Sequence, residues 1–160
     1  MSKAFTSEEN EDDFAIDFPA LPAGTKNYMT PAGYARLKAD WEKLLEQQTV
    51  LRQGDMAAQA QAERIERRLQ ALKERLEAAH VIDPLTQPPD RVLFGATIDI
   101  VDSSGNDQSW RIVGLDETDI ARGHISWMSP LAAAFLEKQP GEVVHFNGQR
   151  WTLRAVRYEA

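Results

Sequence analysis

The chain has 160 residues, enough for one ordinary domain or two small ones, and 42% of them are hydrophobic, which suffices for a core. It contains no cysteine, which excludes a disulfide scaffold and a thiolate zinc site and predicts a cytoplasmic protein. No signal-peptide pattern and no run of eighteen apolar residues occurs, so we expect no membrane insertion.

The formal net charge of −7 is concentrated near the N-terminus. Residues 1–27 contain only two basic side chains, Lys3 and Lys26, against six acidic ones: Glu8, Glu9, Glu11, Asp12, Asp13 and Asp17. Such a segment buries too little apolar surface to order itself, so residues 1–27 are predicted to form a disordered acidic tail. Solubility is its simplest role, and contact with a basic partner remains open.

Two helical patterns follow, between residues 28 and 83. Threonine is common at a helix N-cap and proline at the first helical position, so Thr30 and Pro31 indicate the start of a helix. Apolar residues then recur every three or four positions, interrupted by the polar Gln48, and a second such series begins near Ala62. Gly54 suits a left-handed C-cap and Asp55 suits the next N-cap. The pattern predicts an antiparallel helical hairpin.

Beyond a proline-rich linker over residues 84–91, the hydrophobic period changes to two. Strands are predicted over 96–101, 108–113, 142–146 and 149–158, with Asn147-Gly148 as a tight turn and a short helix over 131–138. Residues 92–160 are therefore expected to form a small antiparallel sheet packed by one helix. The fold class is α+β.

No self-contained active site is visible. The three histidines, His80, His124 and His145, are too scattered for a metal site, and no metal-ligating residues are assigned. Asp116 and Glu117 are adjacent acids that could bind a cation, although acids in a polar loop are usually solvated. The chain is not expected to be an enzyme.

Two further groups of side chains each allow two interpretations. The basic residues of the second helix, with Arg64, Arg67 and Arg68 as the candidates to face nucleic acid, could follow a phosphate backbone. Glutamates interleave with them, however, and this favours a salt-bridged solvated face. Trp127 and Met128 could contact a partner or belong to the core.

Five segments in order resemble the bacterial Gre transcript-cleavage factors, and the GreB branch in particular. They are 27–34 (NYMTPAGY), 81–83 (VID), 94–96 (FGA), 111–117 (RIVGLDE) and 125–130 (ISWMSP). The resemblance implies a coiled-coil hairpin followed by an FKBP-like domain that docks on RNA polymerase at its secondary channel. It also implies Ser126, Ser129 and Pro130 as partner-binding residues.

In that family, an acidic pair at the hairpin tip helps RNA polymerase to hold a second Mg²⁺ while the enzyme cleaves its own backtracked RNA. Family tips read Gly-Asp, two variable residues, then Glu-Asn-Ala. In this chain the same frame reads GDMAAQA over 54–60, so Asp55 is present and Ala58 stands where the glutamate belongs. Alanine offers no oxygen to a metal. Asp55 is thus the single tip candidate, with helix capping as its alternative role.

The arms also look shorter than the family pattern, each by about seven to nine residues, or roughly 10 to 13 Å of reach. The sequence therefore predicts a monomeric, Gre-like elongation regulator that binds RNA polymerase, with weak or lost cleavage stimulation. It has no cofactor of its own, and sharing of the polymerase Mg²⁺ and contact with nascent RNA are left open. The alternatives are an active cleavage factor and a structural coiled-coil interaction module.

Overall fold

The computed structural model describes Phe18 and residues 20–160. It contains two compact units: the described part of the first comprises Phe18, Ala20 and residues 35–78, and the second comprises residues 21–34 and 79–160. Most of the predicted acidic tail, residues 1–17 and Pro19, lies outside the described residues. No described helix is both long enough and apolar enough to span a membrane.

The first unit contains the predicted helical hairpin except for the first turn of its first helix, residues 31–34, which belongs to the second unit. Helix α1 runs over Pro31–Leu51 and helix α2 over Met56–Ala78, which at 1.5 Å per residue makes them about 32 and 35 Å long. Their seam is formed by Leu44, Ile65, Leu69 and Leu72, all buried, with Leu37, Trp41, Leu51 and Phe18 packed against them. Each buried leucine or isoleucine stabilises the pair by about 1.5–3 kcal/mol.

Gln48 occupies the seam position that the sequence assigned to it. It is 3% exposed, and its Nε2 donates to the Ala62 carbonyl at 3.2 Å and to the Glu66 carboxylate. A buried amide is tolerated only where its hydrogen bonds are made, and these bonds cross from one helix to the other. Gln48 therefore fixes the register of α1 against α2.

The second unit contains two sheets. A pair of short parallel strands, β1 (Asn27–Met29) and β2 (Ala79–Val81), brackets the hairpin in sequence. The larger sheet comprises β3 (Thr97–Asp102), β4 (Asp107–Val113), β5 (His124–Ser126), β6 (Val143–Phe146) and β7 (Gln149–Arg157), in the spatial order β5-β4-β3-β7-β6.

The prediction of an antiparallel sheet is wrong at one edge. Strand β5 pairs with β4 in parallel, with Ile112 opposite Ile125, whereas the other three strand pairs are antiparallel. The strand is only three residues long, which is too short to show a hydrophobic period. Its parallel pairing depends on contact with β4 and not on its own sequence. The domain remains α+β, with a mixed sheet.

The core of this unit lies between the sheet and one short helix, α3 (Pro130–Phe135). Ile98, Ile100, Phe135 and Leu153 are fully buried there. Ile98 and Ile100 alternate along β3, as a half-buried sheet requires, Leu153 lies on β7, and Phe135 comes from the helix. The predicted helix over 131–138 ends early because Leu136 turns to an extended ψ of 138°, and Glu137 then takes a positive φ of 71°. Its amide donates to the Val92 carbonyl at 2.8 Å instead of continuing the helix.

One local prediction about the chain between the elements has a clear outcome. Asn147 and Gly148 have φ angles of 52° and 73°, as a tight turn between two antiparallel strands needs, so the predicted turn is confirmed. The predicted linker over 84–91 contains a 3-10 turn, Pro84–Thr86, in which Pro84 is buried. Strand β2, which lies within the predicted hairpin segment 28–83, belongs to the second unit.

Candidate functional site at the hairpin tip

The tip of the hairpin is the four-residue connection between α1 and α2. The last turn of α1 closes with the Gly54 amide bonded to the Leu51 carbonyl at 3.1 Å. Gly54 is not among the glycines with positive φ, so the predicted left-handed C-cap is wrong. The glycine serves close packing instead, because a Cβ at residue 54 would lie 2.7 Å from the Cβ of Ala58.

Asp55 caps the second helix, as predicted. Its Oδ1 accepts a hydrogen bond from the Ala58 amide at 2.9 Å, in an exposed setting. A carboxylate at this position satisfies a free amide of the first turn and interacts favourably with the helix dipole. One oxygen of the only carboxylate at the tip is therefore already occupied by the fold.

The neighbours of Asp55 add no second carboxylate. Ala58 is half-buried, and the exposed side chains near it in the chain include the apolar Met56, which is 87% exposed, and Gln59, which donates to the Gly54 carbonyl at 3.3 Å. The nearest acids on α2 are Glu63 and Glu66, eight and eleven residues from Asp55, or about 12 and 16 Å along the axis. Glu66 is paired with Arg52 at 3.4 Å. A divalent cation that prefers several carboxylate oxygens would find one at this tip.

This donor set does not fit a Mg²⁺ site belonging to the chain itself. Across Phe18 and residues 20–160, no three histidine, aspartate or glutamate side chains are grouped as a metal site requires. The tip therefore presents a capped helix start with a single carboxylate.

The basic residues proposed to face nucleic acid lie close together on α2. Arg67 and Arg68 are each about one turn from Arg64, on opposite sides of it, so the three side chains span roughly 100° of the helix surface. Arg64 and Arg67 are exposed, while Arg68 is half-buried. Their contact with nucleic acid stays a prediction.

The three residues proposed to bind a partner surround the start of α3. Ser129 caps this helix through its Oγ, which accepts from the Ala132 amide at 3.2 Å. Ser126 is 7% exposed, and its Oγ accepts from the Met128 amide at 3.1 Å. Pro130 is exposed. The two hydroxyls thus shape the loop, and the partner-binding role of all three stays a prediction.

Trp127, beside these residues, belongs to the core more than to the surface. Its ring is partly buried against the core of the second unit and meets Tyr28 edge-on at 5.0 Å between ring centroids. The arrangement favours the core interpretation over the partner contact, since edge-on aromatic pairs of this kind stabilise a packed interior.

Glu117 has a role that the sequence interpretation missed. The residue is 6% exposed, so the expectation of a solvated loop is wrong for it. Its carboxylate accepts from the Thr30 amide at 3.0 Å, from the Gly114 amide at 2.9 Å and from the Thr30 hydroxyl. Thr30 in turn caps α1 by accepting from the Gly33 amide at 3.1 Å. Glu117 therefore holds the first turn of α1.

Two glycines in the sequence, Gly33 and Gly114, mark this contact. A Cβ at Gly33 would lie 2.1 Å from the Glu117 Oε1, and a Cβ at Gly114 would lie 2.2 Å from the Tyr28 carbonyl oxygen. Glycine in the first turn of a helix costs stability unless the missing side chain makes room for something. The two glycines mark a close approach that their local sequence does not explain.

His124, at the parallel edge of the sheet, is the histidine with an altered environment. Burial lowers the pKa of its imidazole, and the nearby Arg111 guanidinium lowers the pKa further. His80 and His145 lie elsewhere in the second unit, so the structure does not bring the three histidines together.

Comparison with known proteins decides the family. A family profile described as "Transcription elongation factor, GreA/GreB, C-term" matches residues 87–156. The transcription elongation factor GreB of Neisseria meningitidis serogroup A is 37% identical over 140 residues, covering 77% of this chain and 86% of the relative. The chain belongs to the GreA/GreB family.

Other relatives place it close to GreB. The GreB of Xanthomonas axonopodis pv. citri is 40% identical over 128 residues, covering 69% of this chain and 76% of that protein. Among solved structures, GreA factor homolog 1 (Gfh1) of Thermus thermophilus is similar at 22% identity and a TM-score of 0.40, over 83% of this chain and 99% of that one. The Gre assignment rests on the sequence relatives, and it confirms the resemblance found in the five segments.

Proposed function

We propose that this Gre-family chain is a transcription elongation regulator that binds RNA polymerase at the secondary channel and stimulates transcript cleavage weakly or not at all. Family membership supports the partner. The observation that carries the second part is the tip, where Ala58 stands in place of the family glutamate and Asp55 already caps α2. The chain is not an enzyme in its own right on this proposal.

The effect on transcription follows from occupancy. A hairpin that enters the channel without a pair of carboxylates excludes an intact cleavage factor from the same place and supplies no second ligand for the metal. The protein would then act as a competitor whose strength depends on its affinity for the polymerase. A monomer located in the cytoplasm, with RNA polymerase as its partner, is part of this proposal.

The experiment compares the wild-type chain with Ala58→Glu on a stalled, backtracked transcription complex in the presence of Mg²⁺. Ala58→Glu restores the family pattern, and we expect at least a tenfold increase in the rate of RNA shortening over the wild type. Ala57→Glu is the matched control, since it adds the same carboxylate one residue away, on an exposed position of the same turn, and should have no effect.

If the chain is instead an active cleavage factor, the wild-type chain should already stimulate cleavage. In that case the wild-type chain would shorten the RNA as quickly as an intact family member, and Asp55→Ala would abolish the activity. The structural-module alternative predicts no complex with purified polymerase at micromolar concentration. A stable dimer in light scattering would support that alternative directly.

A further inference from the structure

One face of the hairpin is much more basic than the other. We define the leading face as the residues that directly precede each seam residue and the trailing face as those that directly follow it. In two antiparallel helices, the leading positions of both helices lie on the same side. The leading face comprises Arg36, Asp40, Lys43, Gln47 and Val50 on α1, and Gln61, Arg64, Arg68, Ala71 and Arg75 on α2.

The two faces differ in their charge. The leading face has five basic residues and one acidic residue. The trailing face has three basic and four acidic residues among Lys38, Glu42, Leu45, Thr49, Arg52, Glu63, Glu66, Gln70, Lys73 and Glu77. The Arg52–Glu66 ion pair, at 3.4 Å, lies on the trailing face. The glutamates that the sequence placed among the arginines therefore lie mostly on the other side of α2.

The leading face already holds one residue from the N-terminal part of the chain. Phe18 packs against the seam of the hairpin, and the Arg75 guanidinium carbon lies 5.0 Å above the centre of its ring. A cation at this distance from an aromatic face is attracted to it. The leading residues Arg68, Ala71 and Arg75 are half-buried, whereas the trailing residues Glu66, Gln70 and Lys73 are exposed.

Nearer the tip, the same face contains an apolar groove. The groove has a volume of about 610 Å³ and is lined by Lys43, Glu46, Gln47, Val50, Leu51 and Ile65. Its lining includes the two apolar seam residues Leu51 and Ile65, with Val50 as a largely exposed wall. The groove is therefore suited to a large apolar side chain. Its own lining has one base, Lys43, and one acid, Glu46, so the preference for negative charge comes from the basic residues along the rest of the leading face.

The residues that precede Phe18 have that composition. Residues 8–17 read EENEDDFAID, with six acids, no base, and Phe14 and Ile16 between them. We infer that residues 8–17 of this chain bind along the leading face of the hairpin as an acidic strap, with Phe14 in the groove beside Val50, Leu51 and Ile65.

The distances agree with this assignment. Phe18 lies at Arg75, and the groove lies at Ile65, ten residues or about 15 Å closer to the tip. Four extended residues from Phe18 to Phe14 cover roughly 13 Å. Downstream of Phe18 the chain leads to Asn27, which pairs with Ala79 just beyond the end of α2.

A bound strap would affect the binding of RNA polymerase. Only this consequence of the inference rests on the proposed function. Six carboxylates on the leading face compete with any polyanion, and Phe14 fills the groove near the part of the hairpin that enters the channel. The strap must leave before that face can contact RNA polymerase or its RNA. It would therefore reduce the apparent affinity of the hairpin for the channel.

Disulfide trapping tests the strap without polymerase. The chain has no cysteine, so Phe14→Cys can be combined with Gln47→Cys on the leading face or with Thr49→Cys on the trailing face. Both positions are exposed and flank Gln48 at nearly the same height. We expect the 14–47 disulfide to form at least tenfold faster than the 14–49 disulfide. Equal rates would overturn the proposal.

Charge and function are tested in two further arms. Replacing Asp12 and Asp13 by Asn should reduce the rate ratio severalfold, and an unchanged ratio would overturn the electrostatic contribution. The oxidised 14–47 protein should compete at least tenfold less well for polymerase than the same protein after reduction. Equal competition before and after would overturn the inhibitory role, whereas absence of competition in both forms would count against the proposed function alone.

Discussion

At the scale of single residues, the contact between Glu117 and the start of α1 has the clearest energetic consequences. A buried carboxylate that accepts three hydrogen bonds leaves several polar groups without partners when it is removed. Thr30 contributes two of these donors and also caps the helix. The contact joins residues 87 positions apart in the chain, so it contributes to the fold of the second unit as well as to the local cap.

The first prediction is a double-mutant cycle at this contact. Glu117→Ala should lower the free energy of unfolding by about 3 kcal/mol, because the Thr30 and Gly114 amides lose their acceptor. Gly33→Ala should cost about 1–3 kcal/mol by overpacking, although alanine normally favours a helix over glycine. In the Glu117→Ala background the added methyl group meets no carboxylate, so Gly33→Ala should become neutral or stabilising.

Chemical denaturation of the two single variants and the double variant measures this coupling. Additive effects of the two substitutions would contradict the close approach of Gly33 and Glu117.

The second prediction concerns pH. Because burial lowers the pKa of His124 in the folded protein, the unfolded chain takes up a proton near pH 6.5 that the folded chain accepts only at lower pH. Stability is therefore full above about pH 6.5 and decreases as the pH falls toward the lowered pKa. The unfolding temperature should fall between pH 7.5 and 5.5, and it should fall less in His124→Asn. Identical slopes for the two proteins would show that another group causes the decrease.

At the scale of elements, the hairpin depends on a seam with one polar position. Apolar seam residues stabilise the helix pair without specifying how many helices associate, whereas a buried polar residue selects one register and one partner. Gln48 makes its bonds to the facing helix of the same chain. The seam is thus stable and is also restricted to an intramolecular pairing.

The third prediction replaces this residue. Gln48→Leu should raise the unfolding temperature of the hairpin, because a buried amide is exchanged for an apolar group of similar size. It should also promote self-association, which light scattering would detect as a concentration-dependent increase in mass. Thr49→Leu is the control, as Thr49 is exposed on the trailing face. A Gln48→Leu protein that stays monomeric at high concentration would show that the restriction to intramolecular pairing does not depend on this residue.

At the scale of the whole molecule, reach and tip chemistry act together. Helices of 21 and 23 residues bring the tip only about 32 to 35 Å from the ends of the hairpin. Adding a carboxylate at residue 58 corrects the ligand count but leaves the length unchanged. The effects of the missing carboxylate and of the short arms can therefore be measured separately by correcting one at a time.

The fourth prediction does so by inserting one heptad into each arm, duplicating residues 38–44 in α1 and 69–75 in α2. Each insertion adds about 10 Å and keeps the seam in register. On a backtracked complex, the longer hairpin alone should not promote cleavage, Ala58→Glu alone should promote it partly, and the combination should be at least tenfold better than Ala58→Glu alone. No gain from the combination would show that the short arms already reach the active centre.

Much of this architecture could be predicted from local sequence. The caps at Thr30 and Asp55, the helical seams, the turn at Asn147-Gly148 and the missing glutamate at Ala58 all depend on residues within a few positions of one another. Interactions of this range impose the same pattern wherever the segment occurs, so side-chain type and spacing are enough to identify them.

The features that escaped prediction are decided by contacts between distant segments. Strands β1, β2 and β5 have three residues each, too few to show a period, and they form because a partner strand is present. Gly33 and Glu117 become a unit only when segments more than 80 positions apart meet, as the 87-residue separation of Thr30 and Glu117 shows. Phe18 reads as part of an acidic tail, yet it packs on the hairpin because Arg75 and the seam offer it a site.

The sequence by itself determined the type of each long element, the family and the chemistry available at the tip, since these follow from local side-chain composition and order. Only the tertiary structure decided which strand edge is parallel, which carboxylate is buried and which face of the hairpin is basic. Hydrogen bonds and apolar contacts across long chain separations select among arrangements that the local pattern leaves equal in energy.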